Sequence, residues 1–229
     1  MTEVVVIGGT LCTSKAFPLY RPLLESVPSE ANLTARERYI PILYKGLGPV
    51  RKAAEHAADS IKGLLLDPDD PPVIVGHSQG GVIAAELATM GMGMASAVIS
   101  LAGPHGGVPR TAVLEELSPS GGDLDNKSDF IDEHLRNIKH CMTVPFHVVN
   151  ATYDQIVPRQ FGLPNSVQWF DAPAWIPRRL MGVPSEVQPL HSAMPSEHLF
   201  LPMSSGVRWL VHEVLGEVRK SPEELLEAS

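Results

Sequence analysis

Cysteine is scarce in this chain: of 229 residues only Cys12 and Cys141 carry a thiol. Two thiols cannot build the multi-bridge framework of a small secreted domain, and they fit a reducing compartment. A positive balance is missing as well. Lys and Arg number 18 against 26 Asp and Glu, a formal net charge of -8, and no block of five or more like charges occurs. Grip on a phosphate backbone needs a basic stripe, so no nucleic-acid partner is expected. The start of the chain lacks a basic n-region, since Met1-Thr2-Glu3 runs straight into Val4-Val5-Val6-Ile7. A secretory signal is therefore not expected, a cytoplasmic location is, and the sequons at Asn32, Asn126 and Asn150 read as chance matches. Internal repeats and low-complexity linkers are absent. So is an unbroken membrane span: residues 82–103 hold Glu86 as their single charge, but Gly91 and Gly93 interrupt the run. That stretch reads as a buried helix followed by a buried strand rather than a transmembrane segment.

What is present is ordinary globular composition, 44% hydrophobic and 19% charged. It excludes disorder and supplies one sizeable core. Residues 4–7 form a short apolar run ended by Gly8-Gly9, the pattern of a strand buried on both faces. A helix broken by prolines is expected over 17–26, and a weaker strand over 39–43. Apolar residues at 50, 53, 54, 57, 61, 64 and 65 lie on one face of a helix. Further strands are expected over 73–75, 97–101 and 143–149, and helices over 79–90 and 206–218. Alternating strands and helices imply an α/β fold, a mostly parallel sheet with helices on both faces. Ligands in such sheets bind beyond the carboxyl ends of the strands. We expect a single domain over residues 1–229 with two long insertions, at about 103–142 and 158–189. Each is either a lid or binding loop or plain surface decoration. The apolar residues Val113, Leu114, Leu117, Phe130, Ile131 and Leu135 of the first either line a substrate pocket or pack a helix on the sheet.

The sharpest chemical signal is Val73-Ile74-Val75-Gly76-His77-Ser78-Gln79-Gly80-Gly81. It places Gly76-x-Ser78-x-Gly80 between an apolar strand and a helical pattern. A serine at a tight strand-to-helix turn sits in a strained conformation, and the residues two before and two after must be small for the chain to pass. The turn lifts the Ser78 hydroxyl above the sheet edge and aims the helix N-terminus at the reaction centre. The bland alternative is a turn that uses glycine and serine for geometry alone. His77, next to Ser78, points away from it and reads as a packing residue rather than as the base.

This segment resembles the nucleophile elbow of the α/β-hydrolase superfamily, lipase and esterase branch. Ala102-Gly103-Pro104-His105-Gly106-Gly107 and Asp154-Gln155-Ile156-Val157-Pro158 are similar to further motifs of that family. The first strand here corresponds to the oxyanion-loop strand, so the chain resembles the minimal six-stranded lipases that lack the two leading strands. The resemblance implies a Ser-Asp-His order. It implies Asp154 as the acid, with Asp171 and Glu186 as rivals. It implies His198, which opens His-Leu-Phe-Leu-Pro before the last helix, as the base, with His191 as its rival after a possible strand at 187–190. Backbone N–H groups of Gln79 and Thr10 match the oxyanion donors. Leu11 is the alternative donor, and Gly8 stands where relatives often carry histidine. Leu11, His77 and His105 are the candidates for touching substrate, although His105 could equally tie down its own loop. The spacing of the histidines suggests no metal, and no phosphate loop or cofactor is expected. The resulting expectation is a serine hydrolase of carboxylic esters with an apolar part. A thioesterase or acyltransferase on the same residues, or a silent binding protein of this fold, is the alternative. Oligomeric state is not readable from the sequence.

Overall fold

Val4–Ile7, four consecutive β-branched residues with no exposed surface, form strand β1 at the heart of the sheet. A run of this kind pleats readily and needs cover on both faces. The computed structural model describes residues 2–10, 13–42, 49–64, 67, 69–91, 93–108, 121–151, 154, 157, 167–170 and 196–219. The other strands are β2 (Tyr39–Ile40), β3 (Val73–His77), β4 (Ala97–Leu101), β5 (Phe146–Ala151) and β6 (Val167–Phe170). They form one six-stranded sheet in the order β2-β1-β3-β4-β5-β6. Every pairing is parallel.

The two faces of β1 feed two cores. Val4 and Val6 join Val73, Val75, Ile99 and Leu101 under α1 (Phe17–Glu25) and the helix that ends the described chain (Ser205–Val218). Val5 and Ile7 join Ile74 and Val98 under α2 (Val50–Gly63), α3 (Gln79–Thr89) and α4 (Asp129–Cys141). The short α5 (Ser196–Phe200) and a 3₁₀ turn (Leu201–Met203) lead into that last helix, α6. Ser128 caps α4 by accepting from the Ile131 N–H. No helix among the described residues is long and apolar enough to cross a membrane. The stretch 82–103 divides instead between α3 and β4.

Several elements differ from their expected outlines. Helix α1 runs unbroken. Pro18 sits in the first turn, where an N–H has no intrahelical partner, and the burial of Tyr20, Leu23 and Leu24 holds the helix across Pro22. Strand β2 spans only two residues, and Leu43 of the expected strand lies outside the described residues. Strand β5 starts at Phe146 rather than 143, because Pro145 has no N–H to add to the ladder. The segment 158–189 contains β6, so it contributes to the sheet. In the segment 103–142, Ile131 lies in the α2–α3–α4 core with Phe130 and Leu135 packed against it. These three side chains therefore pack a helix on the sheet. Val113, Leu114, Leu117 and residues 187–190 lie outside the described residues.

Candidate active site

The strand order reverses at β1: the next strand, β2, lies on one side and β3 on the other. Such a switch point opens a crevice beyond the carboxyl ends of the two central strands. The residues that fill it are Gly8, Gly9 and Thr10 after β1, and Ser78 after β3.

Ser78 has φ 56° and ψ -127°, a conformation that costs a non-glycine residue of order 1–3 kcal/mol. The surroundings hold it there. The Ser78 N–H donates to the Leu101 carbonyl at 2.7 Å, and the Ser78 carbonyl accepts from the Gly81 N–H at 2.8 Å. A Cβ on Gly76 would strike the Gly80 carbonyl, and one on Gly80 would strike the carbonyls of Ile7 and Gly8. A Cβ on Gly9 would lie 2.7 Å from Ser78 Cβ and 3.4 Å from its Oγ. The absence of side chains at 9, 76 and 80 is thus what lets the β1 loop, the elbow and the first turn of α3 meet.

Gln79 is the first residue of α3, where backbone N–H groups lack helical acceptors and the helix dipole is positive. Its buried side chain is tied to the β1 loop, because Thr10 Oγ1 donates to Gln79 Oε1 at 2.6 Å. Thr10 and Gln79 are therefore neighbours across the crevice. Leu11 lies outside the described residues.

His198 stands on α5, not on an irregular loop. Its Nδ1 is 2.7 Å from Asp154 Oδ2, and both side chains are nearly inaccessible. A carboxylate only accepts, so Nδ1–H is the donor and Nε2 is left as an acceptor. The other Asp154 oxygen, Oδ1, accepts from the Val157 N–H at 2.8 Å, which fixes the carboxylate's angle. Asp171, Glu186 and His191 lie outside the described residues.

His77 anchors this pair to the elbow. Its Nε2–H donates to the His198 carbonyl at 2.8 Å, and its Nδ1 accepts from Tyr20 OH at 2.7 Å. The rings of His77 and His198 lie 5.0 Å apart. Burial, with His198 as a second cause, pushes the His77 imidazole down to about 3, so it stays neutral. With both nitrogens engaged, His77 has none to offer a substrate, and the expectation that it touches substrate gives way to a bracing role.

His105 departs from expectation in the same way. It is fully buried, with Nε2 2.7 Å from Ser100 Oγ and Nδ1 3.0 Å from His134 Nε2. Of the two readings of this loop histidine, tying down the loop is the one its contacts match. Sequence reasoning missed Tyr20, His134 and Glu86 as partners of these rings. The one available signal was Glu86 itself, a lone charge in an otherwise apolar run.

The profile of the alpha/beta hydrolase family matches residues 4–216. Among curated proteins no match is found. Among solved structures, a metagenomic carboxyl esterase superposes with TM-score 0.56 at 16% identity, over 93% of this chain and 76% of the other. A lipase-esterase related protein from Clostridium acetobutylicum gives 0.54 at 12% identity, over 93% of each chain. Lipase B of Aspergillus fumigatus gives 0.55 at 17% identity, over 74% of this chain, which spans only 42% of that enzyme's length. At such identities the likeness is one of fold.

Proposed function

This chain belongs to the alpha/beta hydrolase family, and from that premise we propose that it is a serine hydrolase acting on carboxylic esters with an apolar part. Ser78 Oγ attacks the ester carbonyl while His198 Nε2 takes its proton. Asp154 keeps the imidazole in the Nδ1–H tautomer and stabilises the imidazolium that forms. The backbone N–H groups of Gln79 and Thr10 hold the developing oxyanion. His198 then returns the proton to the leaving alcohol, and water releases the acyl group by the same steps in reverse. The observation that carries this reading is the buried 2.7 Å His198–Asp154 pair, whose His198 carbonyl is bonded by His77, the residue immediately before Ser78.

The test combines labelling with a substrate panel. A fluorophosphonate probe is expected to modify Ser78, as read by peptide mapping, and short-to-medium chain aryl esters are expected to be hydrolysed. An adduct elsewhere with Ser78 untouched overturns the mechanism. Faster turnover of acyl thioesters than of matched oxygen esters makes the protein a thioesterase on the same residues. A folded protein that neither labels nor turns over is a silent member of the fold.

A further inference from the structure

A second chain of hydrogen-bonded side chains lies behind the elbow, and the proposed reaction does not use it. It starts at Glu86 on α3, where Oε1 is 2.6 Å from His134 Nδ1 on α4. His134 Nε2 is 3.0 Å from His105 Nδ1 in the loop after β4, and His105 Nε2 is 2.7 Å from Ser100 Oγ on β4. All four residues are at most 2% exposed. The other Glu86 oxygen faces Arg51 at 3.9 Å, and Arg51 in turn pairs with Glu133 at 2.6 Å.

The chain has a direction. A carboxylate only accepts, so His134 Nδ1–H donates to Glu86. When both rings are neutral, His134 Nε2 accepts from His105 Nδ1–H, and His105 Nε2 accepts from the Ser100 hydroxyl. Burial and the neighbouring His134 hold His105 well below the usual imidazole range, which keeps that ring neutral. Glu86 thereby dictates, across two rings, which way the Ser100 hydroxyl points.

Ser100 touches both arms of the elbow. It is the sheet partner of Gly76, two residues before Ser78. Its Oγ also lies where a methyl group on Gly81 or Gly103 would fall. Gly81 donates to the Ser78 carbonyl, and Leu101, next to Ser100, accepts from the Ser78 N–H. The loop beyond is held in unusual conformations, with Ala102 at φ 51° and Gly107 at φ 72°.

We propose that Glu86, His134 and His105 are positioning residues of this active site, a one-way buried relay that orients Ser100 and so fixes the elbow carrying Ser78 and the Gln79 amide. None of the three touches substrate. The inference rests on the hydrolase reading above. The relay works by contact: Ser100 Oγ, held toward His105, sits in the space that the missing side chains of Gly81 and Gly103 leave against the elbow. Because oxyanion stabilisation depends on donor geometry, misplacement shows in kcat before it shows in binding.

The decisive substitution is Glu86→Gln, equal in shape but able to donate. An amide N–H given to His134 Nδ1 lets the whole chain reverse. Nitrogen-15 NMR at neutral pH is expected to show His105 and His134 as Nδ1–H tautomers in the wild type and a shift toward Nε2–H in the variant. Ester hydrolysis is expected to lose about 10- to 100-fold in kcat with KM within about twofold. Ser100→Ala, which keeps the charge and both rings, is expected to lower kcat in the same range, and it serves if Glu86→Gln fails to fold. Ile131→Val, a core change on α4 that removes no polar group of the relay, is expected to lower stability and leave kcat unchanged. Nε2–H tautomers in the wild type overturn the inference. Unchanged kcat in the relay variants, or a loss that merely tracks stability as in Ile131→Val, overturns it too while leaving the hydrolase reading standing. A wild type without turnover removes the hydrolase reading and this inference with it, and the ring tautomers still report the direction of the chain.

Discussion

Ser78 is held by its neighbours in a conformation that an unconstrained serine avoids, and that strain presents the hydroxyl to the crevice. The role proposed for it has a direct test. Ser78→Ala is expected to leave the circular dichroism spectrum and thermal unfolding essentially intact while kcat falls by about a millionfold. Substantial residual turnover would mean that another group is the nucleophile. Asp154 bonds both His198 Nδ1 and the Val157 N–H. Asp154→Asn removes the charge, can present an N–H to Nδ1, and so favours the wrong imidazole tautomer. An about 10⁴-fold loss of kcat is expected, with the fold retained. A rate close to wild type would shift the role of acid to Asp171 or Glu186. The base is tested by a pair of variants: His198→Ala is expected to abolish both turnover and rapid labelling of Ser78, and His191→Ala to cost far less. The reverse pattern would reassign the base and leave the serine in place.

At the scale of the element, β3, the elbow and α3 behave as one unit, because close backbone approach at Gly76 and Gly80 sets their angle. Gly76→Ala drives a methyl group into the Gly80 backbone, which no side-chain rotation relieves. A loss of about 1–3 kcal/mol or more is expected in the urea unfolding midpoint, with activity falling alongside. Gly216 gives the opposite case. It lies exposed inside α6, where an added Cβ would meet nothing within 4 Å. Gly216→Ala is expected to stabilise by about 0.5–1 kcal/mol, because alanine loses less backbone freedom in a helix than glycine does. Melting should rise by a few degrees at unchanged kcat, and a lower melting temperature would show that the position is constrained by something other than helix propensity.

For the whole molecule, two apolar cores clamp a sheet that carries fully buried histidines at its functional edge. Both His77 and His105 titrate below the ordinary imidazole value of 6.5. The unfolded chain therefore takes up protons below about pH 6.5 that the folded chain refuses, for His77 down to about pH 3. The stabilisation is complete above pH 6.5 and is lost as pH falls, by about 1.4 kcal/mol per pH unit for each ring while it lasts. Urea midpoints at pH 7.5 and 4.5 should differ strongly in the wild type. They should differ less in His77→Gln, whose amide can still meet Tyr20 and the His198 carbonyl. Equal pH dependence in the two proteins would place the acid sensitivity on other groups.

Much of this was legible in the chain itself. The apolar runs at 4–7, 73–75 and 97–101 announce buried parallel strands, because a strand covered on both faces is built mostly of apolar residues. The elbow is legible because its steric demands fall on residues two apart in sequence. Strand β6 was not, since it lies in a proline-rich segment whose composition resembles a loop. Nor can any periodicity reveal that His198 meets Asp154, 44 residues away, or that Glu86, His134, His105 and Ser100 form one chain from three elements and a loop. Residue types determined what each of these side chains is able to donate or accept. Which of nine histidines face a carboxylate, a carbonyl or each other was decided only when the sheet brought distant segments to one edge, because hydrogen bonds of 3 Å depend on tertiary placement and leave no pattern in sequence.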